Sequence, residues 1–309
     1  MAATGDAAPE GRDLVVPPTG VVGLGDIGRG VAGTLSTSGV DLTVCDVRPE
    51  ATEPFRPGAR VAATPGEVAA HCDVILVAVV NDAQVREVVT GPDGLLSAGR
   101  SEIAVVVLST VSIETALDVA ERAAEQGVLL VDCGVSGGPA AAASGELVCM
   151  VGGTAEAVER VRPVLDVLGS RVLHMGPVGA GLSAKLARNL VQYGSWLAAY
   201  EAQVLAEAAG IPLLILAEAI RESDRHIGGA SRLMFRETAR PLRTDEPADA
   251  GLIPPMSAGN RLAHKDLQAA IALAETLGVD VPMARLTEAY ADRVFAMPEE
   301  SPDGGQPTP

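Results

Sequence analysis

Residues 19–46 read TGVVGLGDIGRGVAGTLSTSGVDLTVCD, and this stretch decides the fold. A short apolar run ends in Gly23-Leu24-Gly25-Asp26-Ile27-Gly28, a helical pattern follows to about Gly39, and a second apolar run closes on Asp46. Strand, glycine turn, helix and strand make one β-α-β unit. Gly23, Gly25 and Gly28 stand at the mouth of the helix with the spacing G-x-G-x-x-G. The first glycine makes the tight turn, the second lets a pyrophosphate approach the backbone, and the third lets helix and strand pack closely. The helix N-terminus then offers N–H groups to the anion. The loop Gly23, Leu24, Gly25, Asp26, Ile27, Gly28 is therefore expected to hold a dinucleotide. Asp46, at the end of the second strand, is placed to accept both ribose hydroxyls, with Val47 and Arg48 beside it. Asp46 favours NAD over NADP, because a 2′-phosphate would meet a like charge; Arg48 pulls the other way by pairing with that phosphate. NAD is the favoured member of the pair.

Outward from this unit the α/β alternation continues. Apolar runs at 73–80, 103–109, 128–132, 146–153 and 171–176 read as strands, with helical patterns at 81–90, 112–126 and 154–168. Near-continuous Val/Leu/Ile runs imply strands covered on both faces, hence a doubly wound, Rossmann-type parallel sheet of the α/β class. Ligands in such sheets lie beyond the carboxyl ends of the strands. Val80, Asn81 and Thr110 stand at those ends and reach toward the nicotinamide half, although Asn81 and Thr110 equally suit helix caps. In DCGVSGGPAAAASGE (132–146), Ser136, Gly137 and Gly138 combine a hydroxyl with unobstructed N–H groups. That is a cradle for a substrate carboxylate, or a flexible crossover between strands.

After Gly176 every strand signal stops. GPVGAGLSAKLARNLVQYGSWLAAYEAQVLAEAAG (176–210) has leucines at helical spacing and reads as one helix about 45 Å long. Lys185 and Arg188 are its only formal charges before Tyr200. A lysine in so apolar a helix either snorkels to the surface or sits in a pocket that lowers its pKa. Asn189 follows it on the same face. Further helical patterns cover 212–227, 229–239, 260–278 and 282–296, and the proline-rich 240–255 segment reads as a loop. The expected organisation is a disordered tail (1–17), a dinucleotide-binding domain (18–178), an all-α C-terminal domain joined by the long helix (179–297) and a second disordered tail (298–309).

Composition narrows the function classes. A chain of 309 residues with 48% hydrophobic content can build two cores. A net charge of -17 argues against nucleic acid or an anionic membrane as partner. Cys45, Cys72, Cys133 and Cys149 form no Cys-x-x-Cys pair and the four histidines are scattered, so free core thiols and no metal site are expected. The first residues lack the basic start and apolar core of a signal peptide, and no run is long enough to span a membrane, which together point to the cytoplasm.

Four motifs in order, GLGDIG (23–28), DCGVSGGPAAAASGELVCMVGG (132–153), GPVGAGLSAKLARN (176–189) and HKDLQAAI (264–271), resemble the β-hydroxyacid dehydrogenase family. That family includes 3-hydroxyisobutyrate dehydrogenases and tartronate semialdehyde reductases, with 6-phosphogluconate dehydrogenase a more distant relative. The resemblance runs from about 19 to 297. It implies that Lys185 is the general acid/base, that Asn189 orients the substrate, and that Ser136, Gly137 and Gly138 bind its carboxylate. It further implies that Lys265 closes over the nicotinamide end, positioned by Asp266; on the residues alone Lys265 reads as a surface charge paired with an acid. A homodimer through the helical domain is expected from its overlong leading helix. The family's glycine-alanine step is replaced by the run Ala140 to Ala143, and the loop at 240–255 lacks an aromatic; both departures bear on the substrate. Two other readings are a reductase of C=N bonds, since imine reductases share this architecture, and a dinucleotide-binding scaffold without turnover.

Overall fold

The computed structural model describes residues 15–298. The tails expected to be disordered therefore lie almost wholly outside the described residues. The chain divides into two compact units between Arg188 and Asn189.

The first unit alternates strand and helix: β1 (Thr19–Val22), α1 (Asp26–Thr37), β2 (Leu42–Cys45), α2 (Pro49–Thr52), β3 (Arg60–Val61), α3 (Pro65–His71), β4 (Val74–Val77), α4 (Asp82–Thr90), β5 (Ala104–Val107), α5 (Ile113–Glu125), β6 (Leu129–Ser136), α6 (Gly138–Ser144), β7 (Leu147–Gly152), α7 (Ala155–Leu168) and β8 (Gly169–Gly176). The eight strands form one sheet in the order β3-β2-β1-β4-β5-β6-β7-β8. Strand order reverses between β1 and β4, which opens the crevice where such sheets bind ligands. Two apolar clusters cover opposite faces. Val21, Val44, Leu76, Val106 and Val131 pack beneath α1 and α7; Val22, Ile75, Val77, Val105 and Leu130 pack beneath α3, α4 and α5.

The sheet differs from a wholly parallel one at its far side. β6 and β7 pair antiparallel, because the short α6 between them returns the chain instead of carrying it across the sheet; β8 then pairs parallel with β7. β8 is an edge strand with Leu173 and Met175 exposed, so its apolar run does not signal cover on both faces. Three strand ends also move. The runs at 73–80 and 103–109 stop pairing at Val77 and Val107, while β6 extends to Ser136. The segment at 132–146 is thus a strand end plus a helix, not a flexible crossover. Residues 47–72, which carry no clear period, fold into α2, β3 and α3.

One helix, α8 (Ala180–Ala208), leaves the first unit and enters the second. The second unit continues with α9 (Leu213–Ile227), α10 (Pro247–Ala250), α11 (Ile253–Leu277), α12 (Pro282–Ala289) and α13 (Ala291–Val294). The helix expected at 229–239 is absent; these residues form turns after Gly228 ends α9 with a positive φ of 80°. The pattern at 282–296 breaks at Tyr290 into α12 and α13. α11 starts earlier than expected because Pro254 and Pro255 lie in its first turn, where no intrahelical N–H is needed. Glu201 of α8, almost wholly buried, accepts from the N–H groups of Met283 (2.6 Å) and Ala284 (3.1 Å) and so caps α12.

Candidate active site

The glycine loop assumes the three roles its spacing implies. Gly23 has φ of 91°, and a methyl there would meet the Ala78 carbonyl oxygen at 2.5 Å. At Gly28 a methyl would stand 1.9 Å from the Gly23 oxygen, so helix and turn touch only through glycine. Around Gly25, by contrast, nothing lies within 4 Å. That is the open approach a pyrophosphate needs, and α1 begins there with no side-chain cap on its N–H groups.

Asp46 lies beside this turn with its side chain 5% exposed. One oxygen accepts from the Leu24 N–H at 2.6 Å, and the other takes the Arg48 N–H at 2.8 Å and Nε at 3.0 Å. Burial pushes its carboxyl up, but the bonds from Arg48 and Leu24 outweigh that and hold it below the usual carboxylate range. Asp46 thus ties the glycine loop to the loop after β2. A cavity of about 470 Å³ opens beside them, lined by Gly23, Gly25, Asp46, Val47, Arg48, Val80 and residues of α3 and α4. Val47 and Val80, 96% and 82% exposed, leave two apolar side chains at its walls, a surface suited to a flat ring. Gly25 and Arg48 also line a neighbouring groove along α1 with Asp26, Arg29 and Pro139. Ile27 points into the sheet's core instead.

Of the residues beyond the other strand ends, Asn81 is a cap: its Oδ1 accepts from the Gln84 N–H at 3.0 Å. Thr110 is exposed and caps nothing, since Ser112 does that for α5. Gly137 and Gly138 have φ of 127° and 73°, so the turn from β6 into α6 requires glycine, and it leaves the N–H groups at the start of α6 beside a half-buried Ser136. The alanine run is not a wall facing substrate alone. Ala142 is buried against Gly30 of α1, and Thr34 Oγ1 donates to its carbonyl at 2.8 Å.

Lys185 stands in the second turn of α8, half-buried, on the sheet face of β6. Its Cβ lies against Gly134, where a methyl would approach to 2.4 Å. Strand alternation puts Ser136, two residues on, on that same face. Burial depresses the Lys185 pKa and the Arg188 guanidinium depresses it further. Asp132, two residues before Gly134, is the residue that sequence reasoning missed as part of the site. It is fully buried and accepts from Gly179 N–H at 2.6 Å and Leu182 N–H at 2.7 Å. An acid at the end of an apolar strand, facing a helix that opens with no Ser, Thr, Asn or Asp cap of its own, was the available signal. A second overlooked signal is that Lys185 and Lys265 are the only lysines in the chain.

Asn189, Lys265 and Asp266 belong to the second unit. Lys265, its side chain 71% exposed, pairs with Asp266 at 3.0 Å. Among the described residues no group of three or more His, Cys, Asp or Glu is placed to hold a metal, and no helix is long and apolar enough to cross a membrane. All four cysteines are free and buried.

A doubly wound sheet with an open glycine loop at its switch point, facing an acid at the end of β2, defines a dinucleotide-binding fold. Comparison with known proteins takes this further. Residues 18–176 match the family model described as the NAD binding domain of 6-phosphogluconate dehydrogenase. The chain is 43% identical over 270 residues to an uncharacterized oxidoreductase of Mycobacterium tuberculosis, covering 87% of this chain and 90% of that protein. It is 32% identical over 289 residues to an L-threonate dehydrogenase of Cupriavidus necator, covering 93% and 92%. A crystal structure of a putative oxidoreductase from Mycobacterium avium superposes with a TM-score of 0.83 at 37% identity, over 92% of this chain and 100% of that one. An imine reductase from Myxococcus stipitatus in complex with NADP+ shares the fold at 22% identity, TM-score 0.68. The chain belongs to the β-hydroxyacid dehydrogenase family and is an NAD(P)-dependent oxidoreductase.

Proposed function

We propose that the protein transfers a hydride between NAD(P) and a small β-hydroxyacid or its semialdehyde, with Lys185 as general acid/base. The observation that carries this is a half-buried Lys185, its pKa depressed by burial, whose Cβ packs against Gly134 on the strand that leads into Ser136-Gly137-Gly138. Bound NAD(P) would supply or accept the hydride. In reduction the Lys185 ammonium gives a proton to the substrate oxygen; in oxidation the neutral amine removes the hydroxyl proton. A depressed pKa makes the neutral amine easier to reach, so the same group serves both directions. Ser136 and the N–H groups of Gly137 and Gly138 hold the carboxylate, Asn189 orients the hydroxyl, and Lys265 with Asp266 closes on the nicotinamide end. Asp46 favours NAD, with Arg48 at hand for a 2′-phosphate.

The apolar face of α9 supports a homodimer through the helical unit. None of its residues is buried, and Leu214 is 85% exposed, as expected of a face that docks on a second copy. The decisive experiment is turnover of a panel of β-hydroxyacids with each cofactor, by wild type and Lys185→Ala. The variant should lose about 10²- to 10⁴-fold in turnover while nucleotide affinity stays nearly intact. An equal loss of nucleotide binding refutes the role; turnover of cyclic imines in place of acids supports a C=N reductase, and binding without any turnover a scaffold.

A further inference from the structure

We propose that Asp132 is the positioning residue for Lys185, a buried carboxylate that sets where and at what rotation the catalytic helix meets the sheet. The inference rests on the acid/base reading of Lys185 given above.

Four helices of the first unit are capped locally and by neutral side chains: Thr64 caps α3, Asn81 α4, Ser112 α5 and Thr154 α7, each binding an N–H three residues on. An exposed Ser or Thr suffices for such a cap. α8 is held differently. Its cap reaches in from β6, separated in sequence by 47 residues from Gly179 and 50 from Leu182, and it is a carboxylate buried completely. Burying that charge is costly and pushes its pKa up against the opposing N–H bonds. A local cap stabilises a helix wherever the helix lies, whereas a cap from a strand also fixes the helix to that strand. Each Asp132 oxygen takes one N–H, and two attachments three residues apart restrain rotation about the helix axis as well as distance.

The seat beneath is shaped to match. A methyl at Gly152 would meet Asp132 Oδ1 at 2.3 Å, one at Gly181 the Met150 carbonyl oxygen at 2.4 Å, and one at Gly134 Lys185 Cβ at 2.4 Å. Three glycines therefore allow the first two turns to press onto β6 and β7, and Asp132 decides how they do so. Lys185 follows Leu182 by three residues, about 4.5 Å along the axis, so an error at the cap passes directly to the base of the lysine side chain.

The test uses the full-length enzyme. Asp132→Asn keeps the shape but turns an amide toward one of the two N–H donors. Turnover should fall at least about tenfold, with nucleotide affinity unchanged, because the glycine loop hangs from β1. In the Asp132→Asn/Lys185→Ala double variant, turnover should be no lower than in Lys185→Ala alone, since the aspartate acts through the lysine. A readout independent of activity follows from the chain's two lysines. After reductive ¹³C-methylation the Lys185 signal is the one lost in Lys185→Ala, and its titration midpoint should rise in Asp132→Asn as the amine gains water. Loss of a nearby negative charge acting through space would instead lower it, so the sign separates positioning from direct electrostatics. An unchanged or lowered midpoint, or losses that multiply in the double variant, overturns the proposal. If Asp132→Asn does not fold, Asp132→Ser, which retains one acceptor, carries the same comparison; failure of both to fold marks a structural residue and overturns it too. Normal turnover in Lys185→Ala would refute the acid/base reading itself, whereas an inactive Lys185→Ala beside an unaffected Asp132→Asn refutes only the positioning role.

Discussion

Gly134→Ala adds a single methyl on β6 and touches no group that reacts. That methyl would stand 2.4 Å from Lys185 Cβ and 2.8 Å from the Gly181 carbonyl oxygen. Carbon atoms in contact prefer about 3.5–4.0 Å, so α8 must retreat from β6 by roughly 1.1–1.6 Å. Neither obstacle is the free end of a flexible side chain, so the strain cannot be relieved by a rotamer change. Overpacking of this kind costs about 1–3 kcal/mol, which in a domain of this size lowers Tm by roughly 2–12 °C. A displacement of about 1 Å at a catalytic group costs on the order of 10²-fold in turnover. The expected profile is a modestly destabilised, folded enzyme with normal nucleotide affinity and turnover reduced about a hundredfold. Calorimetry, nucleotide titration and steady-state kinetics on one preparation give all three numbers. Wild-type turnover accompanied by the Tm drop would show that the amine's location does not depend on the Gly134 seat, and the geometric argument for Lys185 would fail.

The depressed Lys185 pKa has opposite consequences for the two reaction directions. Reduction requires the ammonium and should fall as pH rises through a single pKa below the ordinary lysine value, whereas oxidation requires the amine and should rise through the same pKa; profiles of kcat in both directions test this. Asp46→Ala removes the ribose acceptor and releases Arg48. Loss of charge-assisted bonds of about 1.5–3 kcal/mol should weaken NAD by roughly 10- to 100-fold, with NADP weakened less; equal weakening in fluorescence titrations would remove Asp46 from the ribose.

Elements whose signal is local were legible in the chain. The glycine spacing, the strand before it and Asp46 after it define their own geometry, because a turn with φ of 91° at Gly23 and a helix touching it at Gly28 admit only glycine. The helix over 180–208 was legible for the same reason: its leucine period and lack of proline are properties of adjacent residues. The misreadings involve partners far apart in sequence. The apolar run of β8 looks like that of a central strand, yet burial depends on a neighbouring strand that is not there. The segment at 229–239 has helical composition but turns after Gly228 and stays largely exposed, with only Leu233 and Arg236 partly buried.

By itself the sequence determined that this chain grips a dinucleotide and then turns wholly helical, because turn sterics and hydrophobic period act between residues close along the backbone. Only the tertiary structure decided that Asp132 reaches across to the start of α8, that three glycines let that helix settle on the sheet, and that Lys185 is half-buried with its Cβ against Gly134. The reason is physical. A cap answers to whatever lies nearest in space, and for the N–H groups of Gly179 and Leu182 that neighbour is about fifty positions away in the chain.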